Sequence, residues 1–130
     1  SRSYDIIVDA SDNIETRYFC NDFCVSQGKT LIHGSIGEFN GNIMTIVPGS
    51  ACLRCVFPEA VMLKKSSDSG VVGAVPGIVG SIQAAEVIKV IVGAGEPLIN
   101  KLLTFNILTM DFMTIDVLKN PNCHCSKQWF

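Results

Sequence analysis

The chain has 130 residues, 48% of them apolar, and a net charge of −2. That length suits one domain with its own core, and that apolar fraction excludes a disordered chain. No basic run is present, which excludes nucleic-acid binding as a first reading, because neutralising phosphates takes clustered Lys and Arg.

The opening "SRSYDIIVDASDN" has no initiator Met and almost no lead-in before an apolar stretch. A fragment or a processed product is expected. No secretory signal is visible, so the expected setting is cytoplasmic. "YDIIVDA" (4–10) is a short apolar run flanked by acids and predicts a strand buried on both faces. Asp12 reads as a helix N-cap, and Glu15 three residues on completes a capping box. A helix over 13–27 follows. Its apolar and thiol residues (Ile14, Tyr18, Phe19, Phe23, Cys24, Val25) recur at three- and four-residue intervals, and Gly28 suits its stop. "KTLIHGSI" and "NIMTIV" are strand-like and flank "GEFNG", a turn suited to a hairpin or a wide loop.

Pro48-Gly49 then precedes "ACLRCVFPE" (51–59). "AVMLKKSSDSG" (60–70) is polar and small toward its end and reads as an exposed crossover loop. A helix is predicted over 76–92, with Pro76 in its first turn and Gly93 as its stop. The apolar run 71–92 is long, but it contains Gln83, Glu86, Lys89 and glycines; it reads as a buried helix, not a membrane span. "KLLTFNIL" and "FMTIDVLK" predict a final hairpin around Thr109, Met110 and Asp111. The order strand–helix–strand–strand–helix–strand–strand gives an α/β class with a mixed sheet, in a single domain over 1–130.

The cysteines carry the first chemical signal. Cys52 and Cys55 have two residues between them beside a turn, a spacing that lets both sulfurs face one ion. Cys123 and Cys125 form a second close pair, one residue tighter than usual. Together they predict a four-coordinate structural zinc site tying the mid-chain turn to the tail, with His124 or His33 as a possible substitute ligand. Disulfides and plain core thiols are the rival readings. Cys20 and Cys24 share one helix face and are expected simply to pack.

The second signal is "VDASDNIETR" (8–17), where a strand ends in a carboxylate-rich turn and feeds a helix. In open α/β sheets ligands bind at the carboxyl ends of strands. Asp12 there either caps the helix or holds Mg²⁺ beside a triphosphate, with Asn13 as an amide neighbour.

"DASDNIETR", "GSIGEFNGNI", "CLRCVFPE", "GVVGAVPGIVGSIQAAEVIKVI" and "NPNCHC" occur in the order found in the ThiF/MoeB/HesA family of ubiquitin-activating-enzyme-like adenylyltransferases, which the chain resembles over essentially its whole length. The resemblance is to the C-terminal portion of such an enzyme. It implies a Rossmann-like fold whose mixed sheet continues into antiparallel strands and a four-cysteine zinc knuckle, usually in a homodimer. It implies activation of the C-terminal Gly-Gly carboxylate of a ubiquitin-like or sulfur-carrier protein by ATP and Mg²⁺, as in thiamine or molybdopterin biosynthesis. By the same resemblance Asp12 matches the magnesium-binding Asp, and Asn13 its nucleotide-contacting neighbour. Arg17 matches an Arg with either a structural or a ligand-facing role. Cys52, Cys55, Cys123 and Cys125 match the zinc ligands. The carrier tail would lie extended against the sheet, where "TLIHGSI" and "NIMTIV" form either a channel wall or ordinary sheet.

The chain departs from the family pattern in three places. No G-x-G-x-x-G follows a strand: "GAGEP" follows a helix and lacks the third Gly, and "GAVPGIVG" has the wrong spacing. The glycine-rich nucleotide-binding half is therefore expected outside 1–130, and the domain is expected to be incomplete. The loop position where some members carry a nucleophilic Cys is matched by Ser66, a far poorer nucleophile at neutral pH. The last cysteine pair is contracted. Two other readings stay open: a zinc-stapled scaffold or pseudoenzyme that binds a partner without catalysis, and adenylation of a short peptide.

Overall fold

The computed structural model describes residues 6–9, 14–57, 73–121 and 123. Strand β1 (Ile6–Asp9) leads into helix α1 (Ile14–Gln27), then β2 (Thr30–Ile36) and β3 (Asn40–Ile46). The short helix α2 (Leu53–Val56) precedes the long helix α3 (Ala74–Val92), and β4 (Lys101–Asn106) and β5 (Asp111–Asp116) close the fold. This is the predicted element order with α2 added. The expected crossover loop, including Ser66, lies outside the described residues.

The five strands form one sheet in the order β1-β2-β3-β4-β5. Only β1 and β2 are parallel, because α1 carries the chain back over the sheet between them. The rest is antiparallel. The "GEFNG" turn makes the β2–β3 hairpin, closed by the Gly37 N–H donating to the Asn40 carbonyl at 2.7 Å. The register pairs Leu31 with Ile46, His33 with Met44 and Ser35 with Asn42 on one face. Ile32 with Thr45 and Gly34 with Ile43 face the other way.

Each face carries its own core. Under α1 and α2, Leu31, Met44 and Ile46 pack with Tyr18, Cys24, Leu53 and Leu102. Under α3, Ile43 and Phe105 pack with Val75 and Val79. Helix α3 can sit this low because the sheet offers glycines beneath it. A Cβ on Gly34 would lie 2.5 Å from Gln83 Nε2, and one on Gly41 would lie 2.8 Å from Val79 Cγ2. Gln83 then donates to the carbonyls of Asp9 (3.0 Å) and Ile32 (3.2 Å), joining α3 to the two parallel strands. Buried Glu86 accepts from Thr45 Oγ1 at 2.6 Å and from the Leu98 N–H at 2.7 Å, and it pairs with Lys89 at 2.6 Å. Gly93, in the left-handed region at φ 77°, ends the helix as expected.

Two expectations need correction. Strand β1 is not buried on both faces: Val8 is 47% exposed, since β1 has β2 on one side only among the described residues. Helix α3 is not buried all round either. Val75, Val79, Gln83 and Glu86 face the sheet, while Ile88, Ile91 and Val92 are more than 60% exposed. Its 19 residues are long and apolar enough to cross a membrane by length and composition. Its polar side chains are nonetheless spent on the sheet and the 94–98 loop, which is how a domain helix packs.

Candidate metal and nucleotide sites

The first site is built by two turns. After β3, the chain turns at Pro48 and Gly49, and Ser50 holds that turn by exchanging bonds with Val47. Asn100, from the far end of the chain, accepts from the Ala51 N–H at 2.8 Å. Cys52 and Cys55 sit on either side of the first turn of α2, with the Cys55 N–H donating to the Cys52 carbonyl. The tail returns after β5, and a turn from Asn120 to Cys123 aims the third thiol at the same point.

The three sulfurs converge. Cys52 Sγ lies 3.5 Å from Cys123 Sγ and 4.0 Å from Cys55 Sγ, and all three lie within 4.8 Å of one another. A tetrahedral ion with metal–sulfur bonds of about 2.3 Å holds its sulfurs roughly 3.8 Å apart, within this range. Cys52 and Cys123 are buried, and the Asn120 N–H donates to Cys55 Sγ at 3.4 Å. The donor set therefore fits a soft or borderline divalent metal. Cys125 and His124 lie outside the described residues. His33 does not belong to the cluster; it is buried in β2 with another partner.

Helix α1 grips this knuckle. Asn21 Oδ1 accepts from the Leu53 N–H at 2.9 Å. Asp22 takes both Arg54 Nε and Nη2 at 2.9 Å, a bidentate pair. Arg54 lies 4.3 Å above the Tyr18 ring, and the Tyr18 hydroxyl donates to the Phe57 carbonyl at 2.6 Å.

The second site is the carboxyl end of β1. Asp12 and Asn13 lie outside the described residues, but the ground around their turn is visible. Asp9 ends β1 with 4% exposure, and Arg17, on the first turns of α1, is equally buried. Asp9 is in register with His33 on β2. His33 is fully buried, and its Nε2 lies 3.0 Å from Asn42 Oδ1. Burial pushes the His33 pKa down to about 4; the Asn42 bond and Asp9 oppose this shift, while Arg17 adds to it. The ring is therefore neutral at pH 7. Burial also raises the Cys20 thiol, with Asp9 reinforcing it, and takes Cys24 up to about 11. Both stay protonated at neutral pH and act as packing groups, as expected.

The sequence reading missed the His33–Asn42 pair, the bridging carboxamide of Gln83 and the α1 clamp on the knuckle. One signal was available for the first. Once "GEFNG" is fixed as a tight hairpin, counting alternate positions back from the turn puts His33 and Asn42 on one face.

A mixed sheet with helices on both faces, a buried polar cluster at the end of its parallel strand pair and a thiol knuckle tying mid-chain to tail defines an α/β protein of Rossmann-like ThiF/MoeB type. Crystal structures of E. coli MccB share the fold: one with ATP gives a TM-score of 0.79 at 21% identity, covering 95% of this chain and 40% of that one. The ThiF family model matches residues 1–127, and the chain belongs to that family. It is 43% identical to the SAMP-activating enzyme E1 of Haloferax volcanii, over 92% of this chain and 45% of that protein. It is 40% identical to the sulfur carrier protein adenylyltransferase of Thermus thermophilus, over 94% of this chain and 48% of that protein. The chain thus spans about half the length of these two relatives.

Proposed function

We propose that residues 1–130 form the metal-knuckle and carrier-facing part of an ATP-dependent adenylyltransferase that activates the C-terminal carboxylate of a ubiquitin-like or sulfur-carrier protein. The observation that carries this reading is the family match over 1–127, with relatives named for that activity at 40% identity or more. The substrate carboxylate attacks the α-phosphate of ATP, an acyl–adenylate forms, and pyrophosphate leaves with the bonding electrons. The Asp12 carboxylate would hold Mg²⁺, and Asn13 would contact the nucleotide. A bound Mg²⁺ offsets the charge of two mutually repelling anions. The buried pair of Asp9 and Arg17 sits at the strand end and helix start that flank this turn, where both can fix its course.

Cys52, Cys55, Cys123 and Cys125 would hold Zn²⁺. A closed thiolate site of this kind leaves no position for water, so the ion staples the tail and takes no part in the chemistry. The phosphate-cradling glycine loop of the family has no counterpart within residues 1–130 and completes the site from elsewhere. The same reading places the protein in the cytoplasm as a homodimer, serving thiamine or molybdopterin-type sulfur transfer. The test is ATP–pyrophosphate exchange by the full-length protein. Exchange that requires a carrier ending in Gly-Gly is expected; no exchange with a range of such carriers refutes the reading.

A further inference from the structure

Helix α2 carries Cys55 and is capped by Cys52, yet its four residues are too few for it to hold itself. Cys52, the N-cap, has extended backbone. An N-cap side chain ordinarily accepts from an amide of the first turn. Cys52 makes no such bond. Its sulfur is turned instead toward Cys123 at 3.5 Å and Cys55 at 4.0 Å.

Helix α1 supplies the missing cap from outside. The Leu53 N–H, at the first helical position, donates to Asn21 Oδ1 at 2.9 Å, and both residues are buried. Asn21 Nδ2 donates to Asp22 Oδ1 at 3.2 Å, which fixes the orientation of the amide. The far end of α2 is held in the same manner: the Tyr18 hydroxyl donates at 2.6 Å to the carbonyl of Phe57, the C-cap. Between the two, Asp22 holds Arg54 over the Tyr18 ring. Positions 18, 21 and 22 share one face of α1. That face sets the course of the backbone between Cys52 and Cys55.

We propose that Asn21 and Tyr18 are positioning residues of the metal knuckle: they cap the two ends of α2, Asn21 in the place of Cys52, which leaves the Cys52 sulfur to the ion and holds the Cys52–Cys55 pair at ligating separation. The inference rests on the knuckle holding a metal and is independent of the adenylation reading. Neither residue is among the converging ligands. Both act on the backbone that carries the ligands, as outer groups that orient metal ligands do. Without Asn21 the buried Leu53 N–H loses its acceptor. Helix α2 must then shift to find another, and Cys52 and Cys55 move with it.

The test loads the full-length protein with Zn²⁺ and follows its release to a chromophoric chelator, with a circular dichroism melt on every variant. Asn21→Ala should release zinc about 10- to 100-fold faster. With Co²⁺ in place of zinc, the visible bands of this variant should shift, because they report the arrangement of the sulfurs. Tyr18→Phe keeps the ring beneath Arg54 and removes only the bond to Phe57; it should release zinc about two- to tenfold faster, the loss of one hydrogen bond. Gly34→Ala is the control. It strains the α3 face of the sheet and leaves α2 untouched, so it should melt lower with release and cobalt bands unchanged. Unchanged release in a folded Asn21→Ala overturns the inference. If that variant does not fold, unchanged release in Tyr18→Phe overturns it. Equal acceleration in Gly34→Ala also overturns it, since metal loss then follows overall stability. No metal in the unmodified protein overturns both the inference and the zinc knuckle, and leaves the adenylation reading standing.

Discussion

His33 is a buried base that the fold keeps neutral. Its pKa is lowered to about 4 in the folded chain against about 6.5 when unfolded. Between those values the unfolded state binds a proton that the folded state refuses, so stability falls as pH drops from 6.5 toward 4. The loss reaches about 3 kcal/mol at the lower end. Urea unfolding at pH 7.5 and pH 4.5 checks it, and NMR titration of the imidazole should show no protonation above pH 5. A ring titrating near 6.5 would mean that it is solvated. The knuckle thiols predict a different signature. Cys52→Ser should lose bound metal and melt several degrees lower, whereas Cys24→Ser should keep full metal content, since Cys24 is a core residue of α1 and not one of the three converging thiols.

At the scale of elements, the clamp between α1 and α2 makes the knuckle depend on the helix that starts at the acidic turn. Asn21→Ala removes the acceptor of a buried Leu53 N–H and should cost about 1–3 kcal/mol, read by denaturant unfolding. The Asp22–Arg54 pair is partly exposed, and a double-mutant cycle should give only about 1 kcal/mol despite its bidentate geometry. The contact of α3 with the sheet is less forgiving. Gly34→Ala drives a methyl into Gln83 and Val79, and about 1–3 kcal/mol of destabilisation is expected. Much of this level was legible in the sequence. Both hairpins, both long helices and the Gly stops at 28 and 93 followed from turn chemistry and periodicity. The cluster of Cys52, Cys55 and Cys123 followed from spacing. The clamp was not legible, because Asn21 and Asp22 read as ordinary polar positions until a helix 32 residues away supplies their partners.

At the scale of the whole molecule, the sequence misled where it had to guess neighbours. Apolar residues throughout α3 and β1 read as burial on every side, yet periodicity reports only that a surface wants cover, not that the same chain provides it. Val8 and the outer face of α3 are such surfaces. The chain belongs to the ThiF family and spans about half the length of the two relatives named above; the proposed function puts its strand end and knuckle in a larger catalytic unit. In the proposed function, Asp12 links this strand end to chemistry. Pyrophosphate exchange by the full-length protein carrying Asp12→Ala, with a Gly-Gly carrier present, is the direct measurement. Exchange should fall by at least about a hundredfold while the melt and the knuckle metal content stay unchanged. Exchange at the unmodified rate in a folded Asp12→Ala protein would contradict the assignment of this strand end to the nucleotide.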